Sequence, residues 1–271
     1  MDLHALTRLG QDTDYPDDYE PGLLQPLPRE DGRIVIGVDP ERLPFHGLDL
    51  WTHYELSWLD AGGKPVVAVG EILVPADSPC LIESKSLKLY FNSLNFMRFD
   101  TPQAFSDQVE EDLTAAAGAR VSLTLRDAEA LMPVALPGRC LDDLPLVTDV
   151  YHPDPGLLKV IPGETADETW HSHLLRTNCP VTDQPDWASV VIHYAGPRID
   201  PGSLLAYLVS FRRHSDFHEQ CVERIFHDLG TFCGAELLTV YARYTRRGGL
   251  DINPFRSNAE SLPASWRTVR Q

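Results

Sequence analysis

The chain has 271 residues, 43% of them apolar, and 23 Lys and Arg against 40 Asp and Glu, a formal charge of -17. Such a chain is long and apolar enough for a globular core and is not a disordered one, and its acidity argues against broad, charge-driven binding to DNA or RNA. The acidic first residues read as neither a signal nor a transit peptide, no apolar run approaches a membrane span, and five scattered cysteines without a CxxC pair read as reduced thiols, so the expectation is a soluble, cytoplasmic protein with no membrane and no direct nucleic-acid partner.

Residues 1–44 are rich in Pro, Asp and Gly and read as an extended arm, with Leu23, Leu24, Ile34 and Val35 as points that could dock on a core. "LWTHYELSWLD" and "KPVVAVGEILVP" alternate as two strands around the turn "AGGK". "SKSLKLYFNSLNF" carries Leu87, Tyr90, Phe91 and Leu94 at helical spacing. A second helix is expected from Thr101, an N-cap before Pro102, with Phe105, Val109 and Leu113 on its buried stripe. "RVSLTLRD" reads as a further strand.

The order then repeats. "HSHLLRTNC" and "WASVVIHYAG" read as strands, "PGSLLAYLVSF" and "DFHEQCVERIFHDLG" as helices, the second stopping at Gly230, and "ELLTVYARYT" as a strand. Ser86, Leu87, Tyr90 and Ser93 align with Ser203, Leu204, Tyr207 and Ser210 at one constant offset, which points to internal duplication, although helical packing alone produces the Leu and Tyr matches. The expected fold class is α+β, two tandem domains each with helices on one face of an antiparallel sheet. The boundaries read as an arm over 1–44 and domains over 45–135 and 136–271.

Cys179, in "NCPVTDQPDW", sits at a strand end beside a proline that cannot continue a ladder. It reads either as a nucleophile facing a cleft or as an inert buried thiol. Asp186 reads as a proton donor to an anion formed at the attacked atom, or as an ordinary turn acid. In "DFHEQC", His218 and Glu219 fall in the first turn of a helix; Asp216 with Glu219 also matches a capping box, which would make Glu219 structural. A buried carboxylate there could accept paired hydrogen bonds from a guanine-like edge, with His218 shuttling a proton. Glu83 lies near Lys85 and Lys88, which read equally as solvated charges. Arg243, Arg246 and Arg247 precede Gly248 and Gly249, a possible phosphate cradle or a balance to acidic surface. His171, His173, Cys179 and Cys221 are zinc-ligand types at no recognisable zinc spacing, so no metal is expected. Neither a Rossmann fingerprint nor a P-loop is present.

Together, "IESKSLKLYFNSLN", "NCPVTDQPDW", "FHEQC" and "YARYTRRGGLDINPF" resemble the NADPH-dependent 7-cyano-7-deazaguanine reductases, the nitrile reductases of queuosine biosynthesis, over roughly residues 45–257. The resemblance is to the long form of that family, and implies two tunnelling-fold (T-fold) domains in one chain and a homodimer. It implies that Cys179 adds to the nitrile carbon as a covalent thioimidate and that Asp186 donates the proton, with His218 beside it. It further implies that Glu83 and Glu219, with Ile82, Ser84, His218 and Phe217, hold the 7-deazapurine substrate. Ser84, Lys85, Arg247 and Gly248 match positions for NADPH, the one cofactor expected. The alternatives on similar grounds are a zinc enzyme resembling the GTP cyclohydrolases and a non-catalytic purine-binding module. Cys221, one helical turn beyond His218, is a candidate for a protective disulfide with Cys179.

Overall fold

The structure is a computed structural model that describes residues 16–127, 129, 132–262 and 266–271; residues 1–15 of the expected arm lie outside the described residues. In chain order the elements are β1 (Pro26–Pro28), α1 (Glu30–Val35), β2 (His46–Leu59), β3 (Pro65–Pro75), β4 (Cys80–Ile82), α2 (Ser84–Ser93), α3 (Pro102–Ala117) and β5 (Ser122–Arg126). They continue with β6 (Arg139–Cys140), β7 (Val160–Asn178), β8 (Pro185–Ile199), α4 (Pro201–Ser210), α5 (His218–Cys233), β9 (Leu237–Tyr244) and β10 (Leu250–Ser257). This is an α+β protein of long antiparallel strands and few helices. Among the described residues, no helix is long and apolar enough to cross a membrane.

The chain divides into two compact units. The first takes the described residues up to Asp31, then Asp49–Met132 and Arg246–Ile252. Here β5 lies beside β3 and β3 beside β2, and β5 runs antiparallel to β3. Helix α3 starts where the sequence places it: the Thr101 hydroxyl accepts the Ala104 N–H at 3.1 Å, and Phe105, Val109 and Leu113 are fully buried. Trp58 stacks on Phe105 at 4.2 Å, in a core that also takes Trp51, Leu56, Leu87, Tyr90 and Leu94.

The second unit takes Gly32–Leu48, Pro133–Thr245 and Asn253–Gln271. Its strands run in the order β10, β9, β8, β7, β6, antiparallel except for the short parallel contact of β6 with β7. Ala188, Val190, Ile192 and Tyr194 of β8 and Leu238, Val240, Ala242 and Tyr244 of β9 form one buried face, the face that α5 packs against through His218 and Tyr244.

The aligned serines and tyrosines make matching bonds, each in its own unit. Ser86 and Ser203 donate to the carbonyls of Glu83 and Asp200. Ser93 and Ser210 donate to those of Tyr90 and Tyr207. The Tyr90 hydroxyl bonds Asp112 on α3 and the Tyr207 hydroxyl bonds Asp228 on α5, both at 2.6 Å. The echo is therefore a repeated hydrogen-bond pattern as well as a repeated apolar stripe.

Three expectations are corrected, and one strand that the sequence reading did not expect is added. Helix α5 runs past Gly230 to Cys233 and ends at Gly234 in a left-handed conformation, φ 66°. Buried Leu229 and Cys233 continue its stripe, and that packing outweighs the ~1 kcal/mol that a mid-helix glycine costs. Strand β7 starts at Val160, because residues 160–169 owe their extension to pairing with β8 and show no alternation of their own. Ile34 and Val35 are exposed, and Ile36 and Val38 are buried in their place. "LDINPFRS" is a strand, β10, paired with β9.

Candidate active site

In the second unit, Cys179 follows β7 directly, in the turn that leads into β8. Its N–H donates to the Gln184 carbonyl at 2.9 Å, and its own carbonyl accepts from Asp183 at 3.1 Å. Asp183 takes the left-handed φ of 54° that closes the turn. Across the ladder Thr177 faces Asp186 and Leu175 faces Ala188, so side-chain alternation puts Leu175, Thr177, Cys179 and Asp186 on the helix-covered face.

That phase is set by a bulge. Between Ser172 and Leu175 the register slips by one residue against β8, which turns the following odd-numbered side chains inward. The bulge is pinned by Asp142, which accepts from the Ser172 hydroxyl at 2.6 Å and from the His173 N–H at 3.0 Å. The Ser172 hydroxyl in turn accepts the Leu174 N–H at 3.1 Å. Sequence reasoning missed Asp142, which lies in no motif or element singled out there.

Asn178 brings the second motif alongside. Its N–H donates to the His214 carbonyl at 2.7 Å, and its carbonyl accepts from the Asp216 N–H at 3.1 Å. That tie holds the entry to α5 against the end of β7. Phe217 is the N-cap, and Asp216 accepts the Phe217 N–H at 2.9 Å, so the expected capping box with Asp216 as cap is corrected: the helix starts one residue later. Glu219 is buried in the first turn, where the N-terminal end of the helix favours negative charge.

His218 Nε2 stands 3.3 Å from Asp186 Oδ2, and both side chains are almost wholly buried. The imidazole lies flat on the Tyr244 ring, 3.7 Å away and 1° from parallel. Its Nδ1 is buried with no hydrogen-bond partner among the described residues. The Tyr244 hydroxyl sits beside Cys221 and Thr177; burial, followed by the Cys221 charge, pushes it well up. Burial, then the Asp216 carboxylate, pushes the Cys221 thiol well up too. Cys221 is therefore held as an unreactive thiol.

The histidines considered for zinc are engaged in other ways. His171 Nδ1 is 2.8 Å from the Pro137 carbonyl and His173 Nδ1 is 2.7 Å from the Ser189 hydroxyl. Among the described residues, no group of three or more His, Cys, Asp or Glu is arranged to hold a metal ion, and all five cysteines are free.

In the first unit, Glu83 caps α2 with its own carboxylate. Oε1 accepts the Lys85 N–H and Oε2 the Ser86 N–H, each at 2.7 Å. Full burial raises its pKa, against the lowering effect of those two amides. Ile82 is buried just before it, and Ser84 opens the helix. The turn before β10 meets this helix: a side chain on Gly248 would stand 3.1 Å from Lys88 Nζ, and one on Gly249 would overlap the Glu55 carboxyl. Gly248 and Gly249 both have positive φ, 63° and 79°, and a left-handed glycine pair leaves backbone open to close approach. The fold thus brings the glycine turn against α2 at Lys88. Lys88 at this turn, Ser84 and Lys85 in the first turn of the same helix and Arg247 just before Gly248 are residue types that suit a phosphate-bearing dinucleotide.

His53, also buried here, accepts the Glu55 N–H on Nδ1 at 3.0 Å and packs edge-on against Phe91 at 4.5 Å. Burial, then the Lys88 charge, pushes its pKa down to about 3, against an ordinary 6.5. From pH 6.5 down towards 3 the unfolded chain binds one more proton than the native one, so stability falls with pH by about 1.4 kcal/mol per unit; above 6.5 the group contributes no slope. His53→Asn is expected to flatten that acid limb in urea titrations at several pH values. A limb as steep as that of the unmodified protein would show that His53 is not the source.

A family model described as "Nitrile reductase, 7-cyano-7-deazaguanine-reductase N-term" matches residues 15–125, and one described as "QueF-like protein" matches residues 185–262. A protein of Chromohalobacter salexigens named NADPH-dependent 7-cyano-7-deazaguanine reductase is 55% identical over 97% of this chain and 96% of its own. Proteins of the same name from Dechloromonas aromatica and Saccharophagus degradans are 54% and 50% identical, each over 97% of this chain and over 94% and 98% of their own. At this identity over nearly full length, the chain belongs to the family of NADPH-dependent 7-cyano-7-deazaguanine reductases.

Proposed function

We propose that this protein reduces the nitrile of 7-cyano-7-deazaguanine to the primary amine, 7-aminomethyl-7-deazaguanine, in queuosine biosynthesis, with Cys179 as the nucleophile. The observation that carries this reading is the convergence of Cys179, Asp186 and His218 on one buried face, with His218 Nε2 3.3 Å from Asp186 Oδ2. A nitrile carbon accepts hydride poorly. Addition of the Cys179 S–H across the triple bond forms an S–C bond, leaves a C=N group, and transfers the thiol proton to nitrogen through Asp186 and His218. When bound, NADPH supplies hydride to the thioimidate carbon and again to the imine carbon left after the thiolate departs. One further proton reaches nitrogen through the same Asp186 and His218 pair and a second restores the departed Cys179 thiolate to the thiol, so two hydrides and two protons are taken up per amine. The flat contact of His218 on Tyr244 keeps the imidazole edge on Asp186 and water off its faces.

Glu219, Glu83, Ile82, Ser84, Phe217 and His218 are assigned to the deazapurine, since buried carboxylates suit the paired N–H donors of a guanine edge. Glu83 already spends both oxygens on its helix, so this role uses their remaining lone pairs. Ser84, Lys85, Arg247 and Gly248 are assigned to NADPH. Each unit is read as a T-fold domain, supported by the strand, strand, helix, helix, strand order in both. A homodimer in the cytoplasm, with no direct contact to nucleic acid, completes the proposal.

The test follows nicotinamide absorbance on addition of the nitrile. Two NADPH consumed per amine formed is the expected result. Ligand binding without NADPH oxidation would support a non-catalytic purine-binding module instead.

A further inference from the structure

Strand β9 parts from β10 before it reaches the site. The register pairs Thr239, Val240 and Tyr241 with Ser257, Arg256 and Phe255 and goes no further. Among the described residues, Tyr244, whose ring carries His218, therefore has no paired strand partner on that side for its backbone. Side chains take the place of the strand. Asn253 Oδ1 accepts the Tyr244 N–H at 3.1 Å, and Gln271 Nε2 donates to the Tyr244 carbonyl at 3.0 Å and to Asn253 Oδ1 at 2.8 Å. Gln271 Oε1 accepts from Arg243 Nε at 3.0 Å and from the Thr268 N–H at 3.1 Å. A guanidinium only donates and a carbonyl only accepts, so these partners fix which end of the Gln271 amide is oxygen.

All three side chains are buried. A buried glutamine with both ends satisfied could serve only to anchor the segment that bears it. What argues for more is its target: the backbone of the residue that sets the plane of His218.

We propose that Gln271 is a positioning residue for the reaction, holding Tyr244, and through it His218, against Asp186. The proposal rests on the reading of His218 and Asp186 given above. Loss of the amide removes the Gln271 donor to the Tyr244 carbonyl and to Asn253 Oδ1. The Tyr244 ring then shifts, and the imidazole shifts with it relative to Asp186, in a reaction where small misplacements lower the rate of the chemical step more than binding.

The experiment compares NADPH oxidation by the full chain and by Gln271→Ala, Gln271→Glu, His218→Ala and Val269→Ala, against nitrile concentration and pH, well below each melting temperature. Gln271→Ala is expected to lower kcat by ~10- to 100-fold, leave KM for the nitrile within about 2-fold, and move the pH dependence of kcat. Gln271→Glu is expected to do the same, because a carboxylate has no proton to offer the two oxygens that Nε2 serves. Val269→Ala, at an exposed position of the same segment, is expected to change nothing. A purely structural anchor would lower the melting temperature of both Gln271 variants while kcat and its pH profile stayed put; that result, alongside an inactive His218→Ala, overturns the proposal. Wild-type activity in His218→Ala would instead overturn the reading of the site. Should Gln271→Ala not fold, Arg243→Lys, which slackens the Oε1 side of the same amide, carries the same expectation at about 3-fold in kcat, and an unchanged kcat there is equally fatal.

Discussion

Incubated with 7-cyano-7-deazaguanine and no NADPH, the protein is expected to gain the full mass of the nitrile at Cys179 alone. Cys179→Ala is expected to abolish both the adduct and turnover, a loss of ~10³-fold or more. The choice among five free thiols is physical. Burial pushes Cys221 well up and Cys233 up to about 11, so both stay protonated and unreactive at neutral pH. Cys80 and Cys140 are partly exposed and are the ones a small, indiscriminate alkylating agent should find first. Cys179 is buried, yet it lies in the turn that leads into the strand bearing Asp186, which stands 3.3 Å from His218 and offers a proton source to the nitrogen anion produced by attack. Intact-mass and peptide spectra separate the cases. Nitrile on Cys80 or Cys140 in the unmodified protein, or an adduct that persists in Cys179→Ala, would end the assignment.

Much of the fold that carries the candidate site is legible in the sequence, and the reason is local chemistry. Thr101 before Pro102 defines a helix start on its own, and α3 begins there. The repeated Ser, Leu and Tyr positions mark equivalent turns because the serine hydroxyls bond backbone three residues earlier, a contact that depends on sequence spacing alone. The motif order also carried the family. What sequence could not supply was long-range pairing. Nothing in "VIPGETADET" alternates, and only β8 makes it a strand. The bulge that turns Cys179 inward depends on Asp142, and the plane of His218 depends on Tyr244, Asn253 and Gln271; no spacing rule connects these residues. A capping box was a fair reading of Asp216 and Glu219, but it was overruled because Asn178 holds Asp216 outside the helix.

The largest stability effect is expected at Glu223, far from the reacting atoms. Gly32 lets α1 lie directly on α5, since any side chain there would run into Gln220. This places the Arg33 guanidinium on Glu223, with Nε and Nη2 each 2.9 Å from a carboxylate oxygen. Arg256 joins the same carboxylate through Nε at 3.0 Å and Nη2 at 2.8 Å, and both guanidinium groups stand over the Phe45 ring. All three charged groups are buried. Such a cluster need not add stability over an apolar one, but removing the carboxylate that both buried guanidinium groups bond is expected to cost ~3–5 kcal/mol. Glu223→Ala is therefore expected to lower the melting temperature by roughly 5–10 °C. Glu223→Gln, which keeps one acceptor and the volume, should lose less. The exposed pair Arg198 and Glu164 offers the contrast at a similar 2.8 Å: solvent screens it, and Glu164→Ala should cost far less than Glu223→Ala. Equal losses in Glu223→Ala and Glu164→Ala, measured by urea unfolding at unchanged m-value, would mean that burial of the cluster contributes nothing and that the 32–48 segment is held to its unit by Phe45 and its apolar neighbours alone.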